Sequence, residues 1–179
     1  MTATQIDPYN PALAGHMVTS SGIIVNLMDV DPDSINLQDI ATGLANCFRW
    51  NGHVWPGYSV AQHCCSMHDN LPSLAVEQRL DVLFHDSEEA YWGDIIKPVK
   101  MILKDKCPEL LEIMRETRRV IYKKFGVVAH PETKHLDDIE LRYEWEILVL
   151  NKRPDFWVWS PQIARNEWLK RVSKLITIK

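Results

Sequence analysis

Apolar side chains recur at helical spacing along most of this chain, and turn formers break the pattern at regular intervals. Ile35, Leu37, Ile40, Leu44 and Phe48 predict a helix that starts near Asp33-Ser34. Ser59 is a suitable N-cap for a helix running to about Leu71, where Pro72-Ser73 interrupts it. A second helix carries Val76, Leu80, Leu83 and Phe84 toward His85. Long helical patterns follow from Pro108 to Phe125 and from Pro131 to Leu150, the latter with Leu136, Ile139, Tyr143 and Ile147 marking its buried side. A last helix begins at Ser160-Pro161, with proline in the first helical position. Arg49 to Gly57 is a loop, because Asn51-Gly52 and Pro56-Gly57 both break regular structure. Gly93-Asp94 and Pro98 punctuate the stretch after His85. Only Gly22 to Leu27, β-branched and bounded by turn formers, reads as a short strand.

The expected fold is therefore all-α: a single helical bundle with a short N-terminal β-strand or hairpin. Residues 1–21 form an irregular N-terminal segment, 22–150 the core, and 151–179 a C-terminal helix packing on it. A chain of 179 residues is long enough to bury most of its unfolded surface, roughly 70%, in one domain. Hydrophobic residues make up 46% and charged residues 25% of the chain. That balance excludes a disordered protein. Twenty basic against 24 acidic residues give a net charge of −4, which argues against a nucleic-acid polymer as partner. No apolar run approaches the length of a membrane span, and residues 1–11 lack the basic start and apolar core of a signal peptide. Cys64 and Cys65 are adjacent, fit no CxxC pattern, and read as reduced core thiols. The expected location is the cytoplasm.

His85-Asp86 is the most informative pair. It follows Val82-Leu83-Phe84, so a carboxylate stands where a core residue would otherwise pack. Burying an unpaired carboxylate costs several kcal/mol, and a divalent cation is one partner that removes the cost. The plain alternative is a helix C-terminus with an exposed aspartate and a satisfied histidine. His63 lies near the start of the preceding helix. The chain climbs ~14 Å from it to Pro72 and returns ~18 Å to His85, so an antiparallel hairpin sets both imidazoles at similar heights. A fourth donor must come from elsewhere, and Asp137, with Asp138 as the fallback, opens the long helix after Pro131. A solvated first-turn acid is the alternative for either.

His63, His85-Asp86 and a distant Asp137 together resemble the H…HD…D signature of the HD-domain metal-dependent phosphohydrolases. Three neighbouring blocks are similar to the 5′-deoxynucleotidase branch and its phage-encoded relatives: Arg49-Trp50, Tyr58-Ser-Val-Ala-Gln-His63, and the run from Leu83 to Lys100. The resemblance covers roughly Gly22 to Leu150. It implies one divalent ion (Mn, Co, Fe, Mg or Zn) held by His63, His85, Asp86 and Asp137, and Glu89 as the residue assisting the attacking water, with Glu88 adjacent to it. Glu89 shares a face with His85 provided the helix persists that far. The resemblance also implies Arg49 on phosphate, Trp50 and Asp94 near the sugar, and a homodimer, in the host cytoplasm for a phage-encoded chain.

One departure stands out. Phage relatives carry basic residues in the loop before Tyr58, whereas this chain has Val54-Trp55-Pro56-Gly57. Their loss favours a monophosphate, or moves the duty of holding further phosphates to Lys97, Lys100 or His53. Trp55 and Trp92 are candidates for stacking on a base. The expected activity is hydrolysis of a deoxynucleotide phosphate ester, chiefly a 5′-monophosphate. The alternatives are a deoxynucleoside triphosphohydrolase with the same centre, and a helical domain that binds nucleotide or protein without turnover.

Overall fold

A computed structural model describes residues 13–70, 74–152, 154 and 156–176. The predicted break at Pro72-Ser73 and most of the N-terminal segment lie outside the described residues. The protein is all-α apart from one hairpin, in which β1 (His16–Val18) pairs antiparallel with β2 (Ile24–Asn26) and Met17 faces Val25. The N-terminal segment is thus not wholly irregular, because β1 falls within it.

Eight α-helices follow among the described residues: α1 (Leu37–Asn46), α2 (Val60–Asn70), α3 (Val76–Phe84), α4 (Glu89–Trp92), α5 (Lys97–Lys106), α6 (Pro108–Phe125), α7 (Pro131–Glu144) and α8 (Pro161–Ile176). The first helix starts later than Asp33-Ser34, which sit in a 3-10 turn. Asn36 is its N-cap, because its side chain accepts the Asp39 N–H at 2.8 Å, satisfying a donor that the first turn leaves unpaired. Phe48 lies beyond the helix, in a β-bridge with Ser59. At α2 the Ser59 hydroxyl accepts the Gln62 N–H at 3.2 Å, the cap its sequence predicts.

The core forms where α1, α2, α3 and α8 meet. Ile40, Leu44, Cys64, Cys65, Leu80, Leu83, Phe84 and Trp168 are all fully buried there. Trp168 of α8 stacks at 5.2 Å on Phe84 and donates its indole N–H to the Leu83 carbonyl at 2.9 Å. That bond satisfies the one polar atom of a large buried ring. The aromatic run near residue 157 divides. Phe156 packs on Tyr58 at 5.4 Å and Trp159 against the core, while Trp157 points to solvent. Gln62 holds this segment by donating to the Trp157 carbonyl and accepting the Trp159 N–H, each at 2.8 Å.

Helix α7 reverses the expected sidedness. Ile139 and Tyr143 are exposed, and the buried positions are Thr133, Glu140 and Glu144. The inward face is polar because its partners on α2 and α3 are polar. Buried Asp81 accepts from Tyr122 Oη at 2.6 Å, from the His130 N–H at 2.9 Å and from the Thr133 hydroxyl, so it pins the start of α7. Two turns on, Ser66 donates to Glu140 at 2.6 Å. This docking fixes the register in which Asp137, one turn after Thr133, meets the histidines. A π-helical stretch, Trp145–Leu150, continues the helix and returns Ile147 and Leu148 to an apolar cluster with Tyr58.

Gly43 lets α1 approach α4. A Cβ there would stand 2.5 Å from the Ala90 carbonyl oxygen and 2.8 Å from its Cα, both backbone atoms. Gly43→Ala therefore lowers stability by about 1–2 kcal/mol net, the overpacking exceeding the roughly 1 kcal/mol gained in helix propensity. Urea unfolding of the variant checks this; equal or greater stability contradicts the packing.

Candidate metal centre

Four donor atoms from three segments converge at the middle of the bundle. His63 Nε2 and His85 Nε2 are 3.3 Å apart. Asp86 Oδ2 is 3.2 Å from His85 Nε2 and 3.9 Å from His63 Nε2. Asp137 Oδ1 is 3.3 Å from His63 Nε2 and 3.8 Å from His85 Nε2. Metal–ligand bonds of about 2.0–2.2 Å put neighbouring donors roughly 3 Å apart, and each carboxylate oxygen stands at about that spacing from one of the two imidazoles. His63, His85 and Asp86 alone form a group that could hold a metal.

The elements explain the convergence. His63 lies on the inner face of α2 and is fully buried. Helix α3 ends at Phe84, and His85 to Glu88 form a turn that swings Asp86 toward α2. His85 Nδ1 lies 2.8 Å from the Val82 carbonyl, and that bond leaves Nε2 to face the other donors. Asp137 keeps 15% of its side chain exposed and binds Lys134 through Oδ2 at 2.8 Å, whereas Asp138 is 47% exposed and meets only Lys134. Of the two neighbouring acids, geometry brings in Asp137.

The charges are strongly coupled. Burial pulls the His85 imidazole down, but the Asp86 charge and the contact with Asp137 push it well above its ordinary value. Burial raises Asp86, and the two imidazoles outweigh it and hold the carboxyl far below the usual range. Asp137 moves the same way for the same reason. Such groups attract positive charge into the gap between them.

Arg49 is 6% exposed, and its Nη1 lies 3.7 Å from Asp86 Oδ2. It is held by backbone pairing across the loop it opens: its N–H donates to the Tyr58 carbonyl at 2.8 Å, and Val60 donates to Cys47 at 2.9 Å. Trp50 and Asn51 follow with positive φ, 60° and 54° respectively. That conformation is uncommon for residues other than glycine. Trp50 packs on Trp145 at 5.2 Å. Glu144, which sequence reasoning missed, is fully buried between the site's two halves. Its Oε1 lies 2.6 Å from His63 Nδ1, and its Oε2 accepts from Arg49 Nε at 2.8 Å. A signal was present: Asp137, Glu140 and Glu144 recur at helical spacing.

Glu89 opens α4 rather than extending α3, so it reaches the site through the turn and not along a shared helix face. It is 3% exposed; Oε1 accepts from Lys100 at 3.1 Å, and Oε2 has no hydrogen-bond partner among the described residues. Burial and the nearby Asp86 raise its carboxyl well above the ordinary value, against the pull of Lys100. Burial likewise raises Glu88, to about 7, although Arg118 stands 3.6 Å away. Glu89 borders an open cleft of about 750 Å³ whose lining includes Cys47, Phe48, Asn51, Trp92 and Asp94. Asp94 is fixed by its own N–H donating to Cys47 Sγ at 3.0 Å. The remaining candidates are not gathered in. Lys97 and His53 are exposed, with no hydrogen bond or ion pair to the cluster among the described residues, and Trp55 is 88% exposed. Trp92 lines the cleft but spends its indole N–H on Thr117 at 3.0 Å.

A helical bundle with a buried His-His-Asp group able to hold a metal defines the class of this protein. The chain matches no family model. It is 34% identical over 130 residues to the Escherichia coli (strain K12) protein YfdR, covering 72% of this chain and 68% of that one. It is also 34% identical over 115 residues to RCAP_rcc00048 of Rhodobacter capsulatus, covering 61% of this chain and 57% of that one. Both carry the description uncharacterized protein. The chain belongs to the family of the Escherichia coli protein. No helix among the described residues is long and apolar enough to cross a membrane.

Purified from manganese-supplemented growth, the protein should carry about one divalent ion per chain. His85→Ala and Asp86→Ala lose it, whereas Glu89→Gln retains it. Metal analysis of the three variants checks this; full occupancy in both of the first two contradicts the ligand set.

Proposed function

We propose that this protein is an HD-type, metal-dependent phosphohydrolase that cleaves the 5′-phosphate ester of deoxynucleoside monophosphates. The observation that carries the reading is a pair of imidazole nitrogens 3.3 Å apart, with a carboxylate oxygen of Asp86 and one of Asp137 each within 3.9 Å of both and a buried guanidinium beside them. Two nitrogens and two oxygens with room for water suit a six-coordinate ion such as Mn, Co, Fe or Mg better than a closed zinc site. When bound, such an ion lowers the pKa of a coordinated water and withdraws charge from a phosphoryl oxygen.

The chain's own residues supply the rest. Arg49 keeps its Nη groups toward the centre while Glu144 holds Nε, and a planar guanidinium of that kind suits phosphate oxygens. Glu89 is placed to move protons at Oε2, the oxygen that Lys100 leaves free. In the balanced step a water oxygen forms a bond to phosphorus and the bond to the 5′-oxygen breaks. The proton lost by the water passes through Glu89 to that leaving oxygen. The cleft beside Glu89 then takes the nucleoside, with Asp94 from its lining toward the sugar. A monophosphate is favoured because Arg49 is the one buried cation among the described residues beside the cluster. Lys100 is committed to Glu89, and Lys97 is exposed.

A panel of deoxynucleoside mono- and triphosphates and the matching ribonucleotides, with Mn, Co and Mg, tests this. Orthophosphate and nucleoside should appear from deoxynucleoside monophosphates, and a chelator should abolish their release. Arg49→Ala should lower kcat/KM by roughly 100-fold, the scale for losing a donor to developing charge. Triphosphate as the product overturns the monophosphate assignment; no product from any nucleotide overturns the enzyme.

A further inference from the structure

We propose that Glu144 is a positioning residue that sets the metal half and the phosphate half of the site together, one with each carboxylate oxygen. The inference rests on the reading of the centre as a metal site and adds a residue to it. Glu144 is fully buried, comes from the last turn of α7, and touches residues 81 and 95 positions earlier in the chain. Burial of a carboxylate so far from water is tolerated only with its lone pairs satisfied. Here both oxygens are engaged, at 2.6 Å with His63 Nδ1 and at 2.8 Å with Arg49 Nε.

The chemistry of the two contacts differs. A carboxylate only accepts, so Nδ1 of His63 must carry the proton, and Nε2 is left with the lone pair that a metal needs. The Arg49 contact fixes the plane of the guanidinium and turns its Nη groups inward. The neighbouring residues repeat the arrangement, because Trp145 packs on Trp50 just as Glu144 grips Arg49. The π-helical stretch starts directly after Glu144, at Trp145, and such bulges are frequent at functional sites.

A glutamine of the same shape cannot do both jobs, since its amide has one accepting oxygen and one donating nitrogen. The permanently charged Arg49 takes the oxygen, and the NH₂ group then faces His63 Nδ1. The imidazole answers by becoming the other tautomer, with its proton on Nε2, the atom that should bind metal. Removing the arginine frees the amide oxygen to turn to His63 and restores the correct tautomer.

Manganese binding to purified protein, measured by titration calorimetry, tests this in four proteins: wild type, Glu144→Gln, Arg49→Met, and the variant carrying both changes. Glu144→Gln should weaken manganese binding roughly 10–100-fold in the wild-type background, the scale for losing a partner that orients a ligand. In the Arg49→Met background the same change should weaken it by less than about threefold. A purely structural role for Glu144 predicts equal losses in both backgrounds and overturns the inference, as does unchanged binding by Glu144→Gln. Circular dichroism verifies folding. Should Glu144→Gln fail to fold, Glu144→Asp carries the test. It keeps the charge but is one methylene too short to span both partners, so binding should again weaken at least tenfold, and wild-type affinity overturns the inference. A wild-type protein that binds no manganese removes the metal reading itself, a separate outcome from manganese bound equally by wild type and variant.

Discussion

The constraint on which this structure depends is electrostatic. Asp86, Asp137 and Glu144 place three carboxylates against two buried imidazoles in the interior of a small helical bundle. Arg49 supplies one compensating charge from within. With both histidines neutral, as ligands must be, two negative charges remain. Lys134 meets Asp137 only from the rim, with 71% of its side chain in solvent. Screening makes an ion pair weak there. A dication held between these groups would balance the remainder, the charge that protonated imidazoles carry when no metal is bound.

Much of the surrounding architecture serves this arrangement. The apolar core of α1, α2, α3 and α8 packs α2 against α3, and the His63 and His85 imidazoles meet at 3.3 Å across that contact. Helix α7 is then docked by polar contacts: Asp81 at its start, Ser66 at Glu140, and His63 with Arg49 at its end. Its exposed apolar side chains contribute nothing to that docking. Contacts that depend on hydrogen-bond geometry tolerate less sliding than a greasy face does, so α7 delivers Asp137 in a defined register. Gly43 performs the corresponding task for Glu89 by permitting the close approach of α1 to α4, the helix that Glu89 opens.

Six of the eight helices among the described residues, α1, α2, α3, α6, α7 and α8, were legible in the sequence because periodicity and punctuation report local geometry, whereas α4 and α5 were not, since Gly93 and Pro98 read only as breaks there. His85-Asp86 could be picked out because a carboxylate is out of place after Val82-Leu83-Phe84, whereas His63 came from helix lengths and Asp137 from its place near the start of a long helix. What misled was the assumption that the buried side of a helix is its apolar side. On α7 the acids and Thr133 face inward, since their partners are polar groups distant in the sequence. Glu144 was hidden for the same reason. Its helical spacing from Asp137 and Glu140 was the one local signal, and its contacts with His63 and Arg49 join residues 81 and 95 positions away. The start of α1 was misplaced because Asp33-Ser34 and Asn36 are all good caps, and only the 3-10 turn at Pro32 decides among them. Lys97 and Trp55 were drawn in by residue type alone, and the backbone directs them to solvent.

The proposed function requires a single cation shared by four named atoms. Anomalous diffraction from crystals of the manganese-loaded protein, recorded at the manganese edge, addresses it directly. The account predicts one peak within about 2.0–2.3 Å of His63 Nε2, His85 Nε2, Asp86 Oδ2 and Asp137 Oδ1, the range of ordinary metal–ligand bonds. A fully loaded protein whose peak lies elsewhere, or touches only surface carboxylates, would contradict it.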